Sequence, residues 1–181
     1  MLPENEPDLL QKEAARAYQQ KRYLDAARLY RLLSAAWQAQ GNPINAAEAA
    51  NNCSVALLQS GDPSGALLVS KGTELVFKEA GDLQKQGLAL GNQAASLEAM
   101  GRNNDALETY YQSDQVLKLS GDTENRAYVL QKISALLVRK GNYFEALSSM
   151  YTALNLLPKL TFRQRIVKAL IQIPFRWLSR S

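Results

Sequence analysis

Apolar residues recur at intervals of three and four along most of the chain. Leu88, Leu90, Ala94 and Leu97 form one such run, and Leu130, Ile133, Leu137 and Val138 another. This is the 3.6-residue rhythm of helices with one buried face, and no stretch alternates at period two for long enough to predict a strand. The runs are separated by evenly spaced glycines. Gly41, Gly81 and Gly121 lie 40 residues apart, as do Gly61, Gly101 and Gly141, so the two series interleave every 20 residues. Each glycine is followed by a residue suited to a turn or helix start: Asn42, Asp62, Asp82, Arg102, Asp122 and Asn142. Glycine accepts the left-handed backbone that ends a helix, and an Asp or Asn side chain can cap the next one. Pro43 and Pro63 follow at the first helical position, where a missing N–H costs nothing. The pattern predicts helices at about 7–20, 23–40, 43–60, 63–80, 83–100, 103–120, 123–140 and 143–157, with a ninth from about 162. Thr161 and Gln164 stand in capping-box spacing at that last start. The class is all-α, built of stacked helix pairs.

Four segments repeat a further motif: Lys21–Ala27, Gly61–Leu67, Gly101–Leu107 and Gly141–Leu147. They resemble the turn and second-helix start of a tetratricopeptide repeat. The family's small residue of the second helix falls on Ala26, Ala66, Ala106 and Ala146, and that of the first helix on Ala14, Ser54, Ala94 and Ser134. Its aromatic after the turn falls on Tyr23 and Tyr143, while Pro63 and Asn103 depart from it, and Lys21 stands where the other turns have glycine. The period of 40 exceeds the common 34. It is similar to the longer repeats of kinesin light chains, spindle-orientation scaffolds and bacterial peptide-sensing regulators.

The resemblance implies a right-handed αα superhelix of four repeats, at about 7–42, 43–82, 83–122 and 123–158. A basic amphipathic helix at 159–181 follows and would cap the stack. It also implies a non-catalytic scaffold that binds a partner peptide or protein segment on the concave wall of the first helices. Inward candidates by repeat arithmetic are Gln11, Lys12, Asn51, Asn52, Asn92, Gln131 and Lys132, with Gln59 and Arg139 further along. In the related 40-residue arrays an asparagine at the Asn52 and Asn92 position tends to bind the peptide backbone, which an amide can do because it both donates and accepts. The plainer reading is that these amides are solvated or bond their own helix. Lys12 and Lys132 have Asn52 and Asn92 between them, so no charge clamp for an acidic terminus is expected. The tyrosines (Tyr18, Tyr23 and Tyr30; Tyr110 and Tyr111) and Trp37 are expected to pack between helices, hydroxyls at the edge.

Composition sharpens two points. The 181 residues carry 21 Lys and Arg against 17 Asp and Glu, a net charge of +4. All the acids lie between Glu4 and Glu145, whereas Lys159, Arg163, Arg165, Lys168, Arg176 and Arg180 follow with no acid among them. Fifteen basic residues against seventeen acidic ones leave residues 1–158 at −2 and the tail at +6. At 100° per residue, Phe162, Ile166, Leu170, Ile173 and Trp177 share one side of the tail helix, extended by Val167, Ile171 and Leu178. Lys168, Gln172, Arg165, Arg176 and Ser179 gather opposite, and Pro174 is expected to kink or end the helix. The apolar side could cover the last repeat at Leu147, Met150, Tyr151 and Leu154. Capping does not account for the missing acids. The alternative function is therefore a peripheral membrane adaptor whose Arg163, Arg165, Lys168, Arg176 and Arg180 contact anionic lipid.

The remaining expectations are exclusions. The chain has no histidine, hence no imidazole base or ligand, and the glycines follow the repeat rather than a phosphate loop. Its single cysteine, Cys53, falls in a packing slot and is expected to be a small buried hydrophobe. Asp105 and Glu108 sit on a helix surface without a convergent acid–base set. No enzyme activity, metal or cofactor is expected, nor nucleic acid, for which no reading motif is present. The acidic start at Met1–Asp8 lacks the basic segment of a secretory signal, and no run is apolar enough to span a bilayer. The expected location is the cytoplasm, with the inner membrane face as the peripheral alternative.

Overall fold

A computed structural model describes residues 6–178, with side chains described over 7–171. Among the described residues there are ten α-helices and no strand: α1 (Glu6–Gln19), α2 (Tyr23–Ala39), α3 (Pro43–Gln59), α4 (Pro63–Ser70), α5 (Thr73–Glu79), α6 (Leu83–Ala99), α7 (Asn103–Ser120), α8 (Thr123–Arg139), α9 (Tyr143–Leu156) and α10 (Phe162–Leu178). Neighbouring helices pack against one another in pairs, giving an all-α repeat array in which α3 also touches α6 of the next pair.

The turns are one device used repeatedly. All six periodic glycines have φ between +71° and +88°. In each, the N–H of the next residue returns to the carbonyl five residues back, as in Asn42 to Trp37 and Asn142 to Leu137, both at 2.9 Å. That bond and the left-handed glycine together satisfy carbonyls that a helix end would leave open. Asn42, Asp62, Asp82 and Asp122 then accept the N–H three residues on, whereas Arg102 and Asn142 make no side-chain cap. The first turn follows the same course without glycine. Lys21 adopts φ +60°, and Arg22 N–H reaches the Ala17 carbonyl at 2.9 Å.

Packing follows the small residues. Ala14, Ser54, Ala94, Ser134, Ala26, Ala66, Ala106 and Ala146 are all buried, where paired helices cross closely. Gly87 makes an equally close contact. A Cβ there would lie 2.6 Å from Leu117 Cγ on α7, and the Ser113 hydroxyl donates to the Gly87 carbonyl at 2.7 Å. Cys53 is buried and its thiol donates to the Ala27 carbonyl of α2 at 3.2 Å. Burial holds that thiol above its ordinary pKa, partly offset by Arg31.

The sequence pattern predicts one helix over 63–80, but the structure divides it. Gly72 is left-handed at φ +89°, separating α4 from α5. The Ser70 carbonyl, released from the helical ladder, accepts from the Thr73 hydroxyl at 2.7 Å and from Gln93 Nε2 of α6 at 2.8 Å. Gln93 also donates to Glu74, whose carboxylate caps the Gly72 N–H at 3.0 Å. The break lies off the 20-residue register and is held from the neighbouring repeat.

At the far end Thr161 and Gln164 form the expected capping box. Thr161 N–H donates to Gln164 Oε1 at 2.8 Å, and Gln164 N–H returns to Thr161 Oγ1 at 3.3 Å. The helix does not end at Pro174, continuing to Leu178. No helix among the described residues is long and apolar enough to cross a membrane.

Candidate functional site

The first helices α3, α6 and α8 lie side by side and share a cavity of about 170 Å³. Val55 and Leu58 line it from α3, Leu88 and Ala95 from α6, and Tyr128 and Val129 from α8. Gln59, Asn92 and Asn125 supply its amides, and Gly91 forms a notch in its wall. This centre is more apolar than an amide-rich wall would be. In the 40-residue register, Leu88 and Tyr128 occupy the position of Asp8 and Glu48, and Gly91 that of Gln11, Asn51 and Gln131. Those substitutions turn a polar ridge into an apolar hollow. The signal is present in the sequence, in the residues that differ between repeats.

A second cavity of about 120 Å³ lies nearer the amino terminus, where Gln11, Trp37, Glu48 and Asn52 converge from α1, α2 and α3. Trp37 is half-buried there. It packs on the core and also faces this opening, rather than being enclosed as the sequence suggests.

The candidate residues divide between these places. Gln11 and Asn52 line the cavity nearer the amino terminus, Gln59 and Asn92 the central one. Asn51 is turned inward and only 9% exposed, and its Oδ1 accepts from Asn92 Nδ2 at 3.2 Å. It braces α3 against α6 and is not part of the exposed wall. Gln131 is half-buried on α8, and Lys12 is exposed on α1. Lys132 and Arg139 converge on one acid, Glu98 of α6, at 3.5 and 3.1 Å. Lys132 also lies 5.7 Å over the Tyr128 ring. Sequence reasoning missed Glu98, the counter-charge of both cations.

The tyrosines behave as interhelical packing. The Tyr110 ring is fully buried and its hydroxyl donates to Glu98 at 3.2 Å. Burial, then the Glu98 carboxylate, pushes that hydroxyl far above the ordinary phenol range. Tyr111 donates to Glu145 of α9, with burial again the main cause of a raised pKa. Tyr18 and Tyr23 meet edge to face at 5.4 Å. Tyr143, the aromatic of the last turn, is exposed instead. Further ties cross between repeats, among them Lys85 to Glu48 at 2.8 Å.

The tail candidates separate as well. Arg163 and Arg165 are exposed and Lys168 is half-buried. The side chain of Arg176 and all of Arg180 lie outside the described residues, as do the side chains of Gln172, Ile173, Trp177 and Leu178 and all of Ser179. The side of α10 turned toward the array differs from the expected one. Ile171 is 5% exposed, with Gln164 and Lys168 half-buried beside it, while Phe162 is 78% exposed and Leu170 60%. Ile171 and Phe162 lie half a turn apart on the helix, so Phe162, Ile166 and Leu170 point outward and Ile171, from the edge of the expected apolar side, is buried instead. No protein-family model and no curated protein matches the chain.

Proposed function

We propose that the chain is a non-catalytic interaction scaffold of tetratricopeptide type, holding a partner's peptide segment along the wall made by α3, α6 and α8. The central cavity carries this reading, because it is an apolar hollow rimmed by amides and built jointly by three repeats. Apolar lining with a few polar groups at the edge is the usual make-up of a recognition pocket. The amides of Gln59, Asn92 and Asn125 can pair with both N–H and C=O of an extended backbone, while the hollow takes one apolar side chain. Four helix pairs at a constant 40-residue spacing, with small residues buried at each crossing, support the family assignment. A cytoplasmic location fits the same reading.

The test is a random peptide-display library panned on the full chain. Enriched peptides should share an apolar residue, and Tyr128→Ala should weaken them about tenfold, as removal of an aromatic at a binding hot spot does. Tyr128 is exposed, so the fold tolerates the change. Asn92→Ala is the poorer probe, since it strips the buried Asn51 of its partner. Enriched peptides that bind wild type and Tyr128→Ala equally would overturn the proposal.

A further inference from the structure

We propose that α10 is a docking surface for an anionic lipid bilayer, lying flat with the Phe162, Ile166 and Leu170 stripe in the interface. The stripe faces solvent although α10 touches α9 and buries Ile171 on its opposite side. Its three members are spaced by four residues, and the two exposed arginines flank them: Arg163 stands about 100° to one side of Phe162 and Arg165 about 60° to the other. Neither arginine is in an ion pair among the described residues. An apolar centre bordered on both sides by long basic chains suits a headgroup boundary, where the stems lie along the acyl surface and the guanidinium groups reach phosphate.

Charge decides the occupant. No acid occurs after Glu145, so nothing in the segment offsets Lys159, Arg163, Arg165 and Lys168. A second copy laid on the stripe would bring a second set of the same cations against the first. An anionic leaflet supplies the opposite sign over a continuous surface, worth a measurable gain for each basic residue near it. The capping box at Thr161 and Gln164 and the contact of α10 with α9, with Ile171 buried, hold the helix already formed, so docking requires no folding step.

The experiment is co-sedimentation of the full chain with vesicles of phosphatidylcholine alone or mixed with phosphatidylserine. The chain should pellet with the mixed vesicles only, and less so as salt is raised. Arg163→Gln with Arg165→Gln should lower the partition coefficient roughly thirtyfold. Phe162→Ser, Ile166→Ser and Leu170→Ser together should lower it by about a hundredfold or more. All five positions are exposed, and an unchanged circular dichroism spectrum and melting temperature serve as the folding check. Tyr128→Ala should pellet like wild type, which separates this surface from the proposed groove. The proposal is overturned by wild type staying in solution with anionic vesicles, or by the triple serine variant pelleting undiminished. Self-association of the full chain that the triple variant abolishes, without vesicle binding, overturns it in favour of a second copy.

Discussion

The second helices of the two middle repeats begin in the same register and are built differently. In repeat three, α7 runs unbroken from Asn103 to Ser120, whereas in repeat two the same span is split at Gly72 into α4 and α5. Forty residues apart, Tyr110 answers to Ser70, Ser113 to Thr73 and Leu117 to Phe77. Where repeat three fills its interior with a buried ring, repeat two has a serine and spends polar groups instead, joining Ser70, Thr73, Glu74 and Gln93. Both versions then reach the same place. Phe77 and Leu117 are fully buried one turn before Gly81 and Gly121, and both turns close identically onto their carbonyls. The repeat thus depends on its anchor and its turn, and the intervening helix can be rebuilt.

The largest expected effect tests the anchors. Phe77→Ala should cost about 3–5 kcal/mol and Leu117→Ala about 2–5 kcal/mol in urea unfolding, the usual cost of emptying a core site. A loss below about 1 kcal/mol for Phe77→Ala, outside the range for such changes, would mean that the break lets α5 collapse into the void. The two anchors would then not be equivalent.

Next comes the hydrogen-bonded junction. Gln93→Ala removes a donor from the Ser70 carbonyl and a partner from Glu74, and should cost about 1–3 kcal/mol. Hydrogen exchange should show faster opening confined to α4 and α5. Equal loosening of α7 would show that the two helices share their stability rather than holding it separately.

The smallest effect is alkaline. Tyr110 keeps its proton in the folded chain well above pH 10.0, where the unfolded chain releases it. Its contribution is therefore fully present below that pH and is lost as pH rises beyond it. Thermal melts between about pH 9 and about pH 11 should fall less steeply for Tyr110→Phe than for wild type. Repeat two, with Ser70 in that position, has no counterpart of this sensitivity.

Much of the fold is legible because its grammar is local. A glycine that must be left-handed, an Asp that caps three residues on and an alanine at a crossing each act over a few residues, and their period makes them visible. Gly72 escapes the reading because its break is secured by Gln93, twenty-one residues away in another repeat. The central hollow is half legible. Asn92 and Gln59 stand out as amides, but Leu88, Gly91 and Tyr128 look like ordinary helix residues until the repeats are laid against one another. The orientation of α10 is not written in its pattern at all. Amphipathicity says that the helix has two sides, and the burial of Ile171, on a helix that touches α9, marks which of them is turned inward.

Glu98 is a resident competitor. It occupies Lys132, Arg139 and the Tyr110 hydroxyl at once, with its side chain only 13% exposed. A ligand carboxylate at this edge of the wall would compete with a rival that is tethered in place and never diluted. Neutral segments would meet no such contest, so under the proposed binding role the cations of α8 favour a neutral ligand over an acidic one.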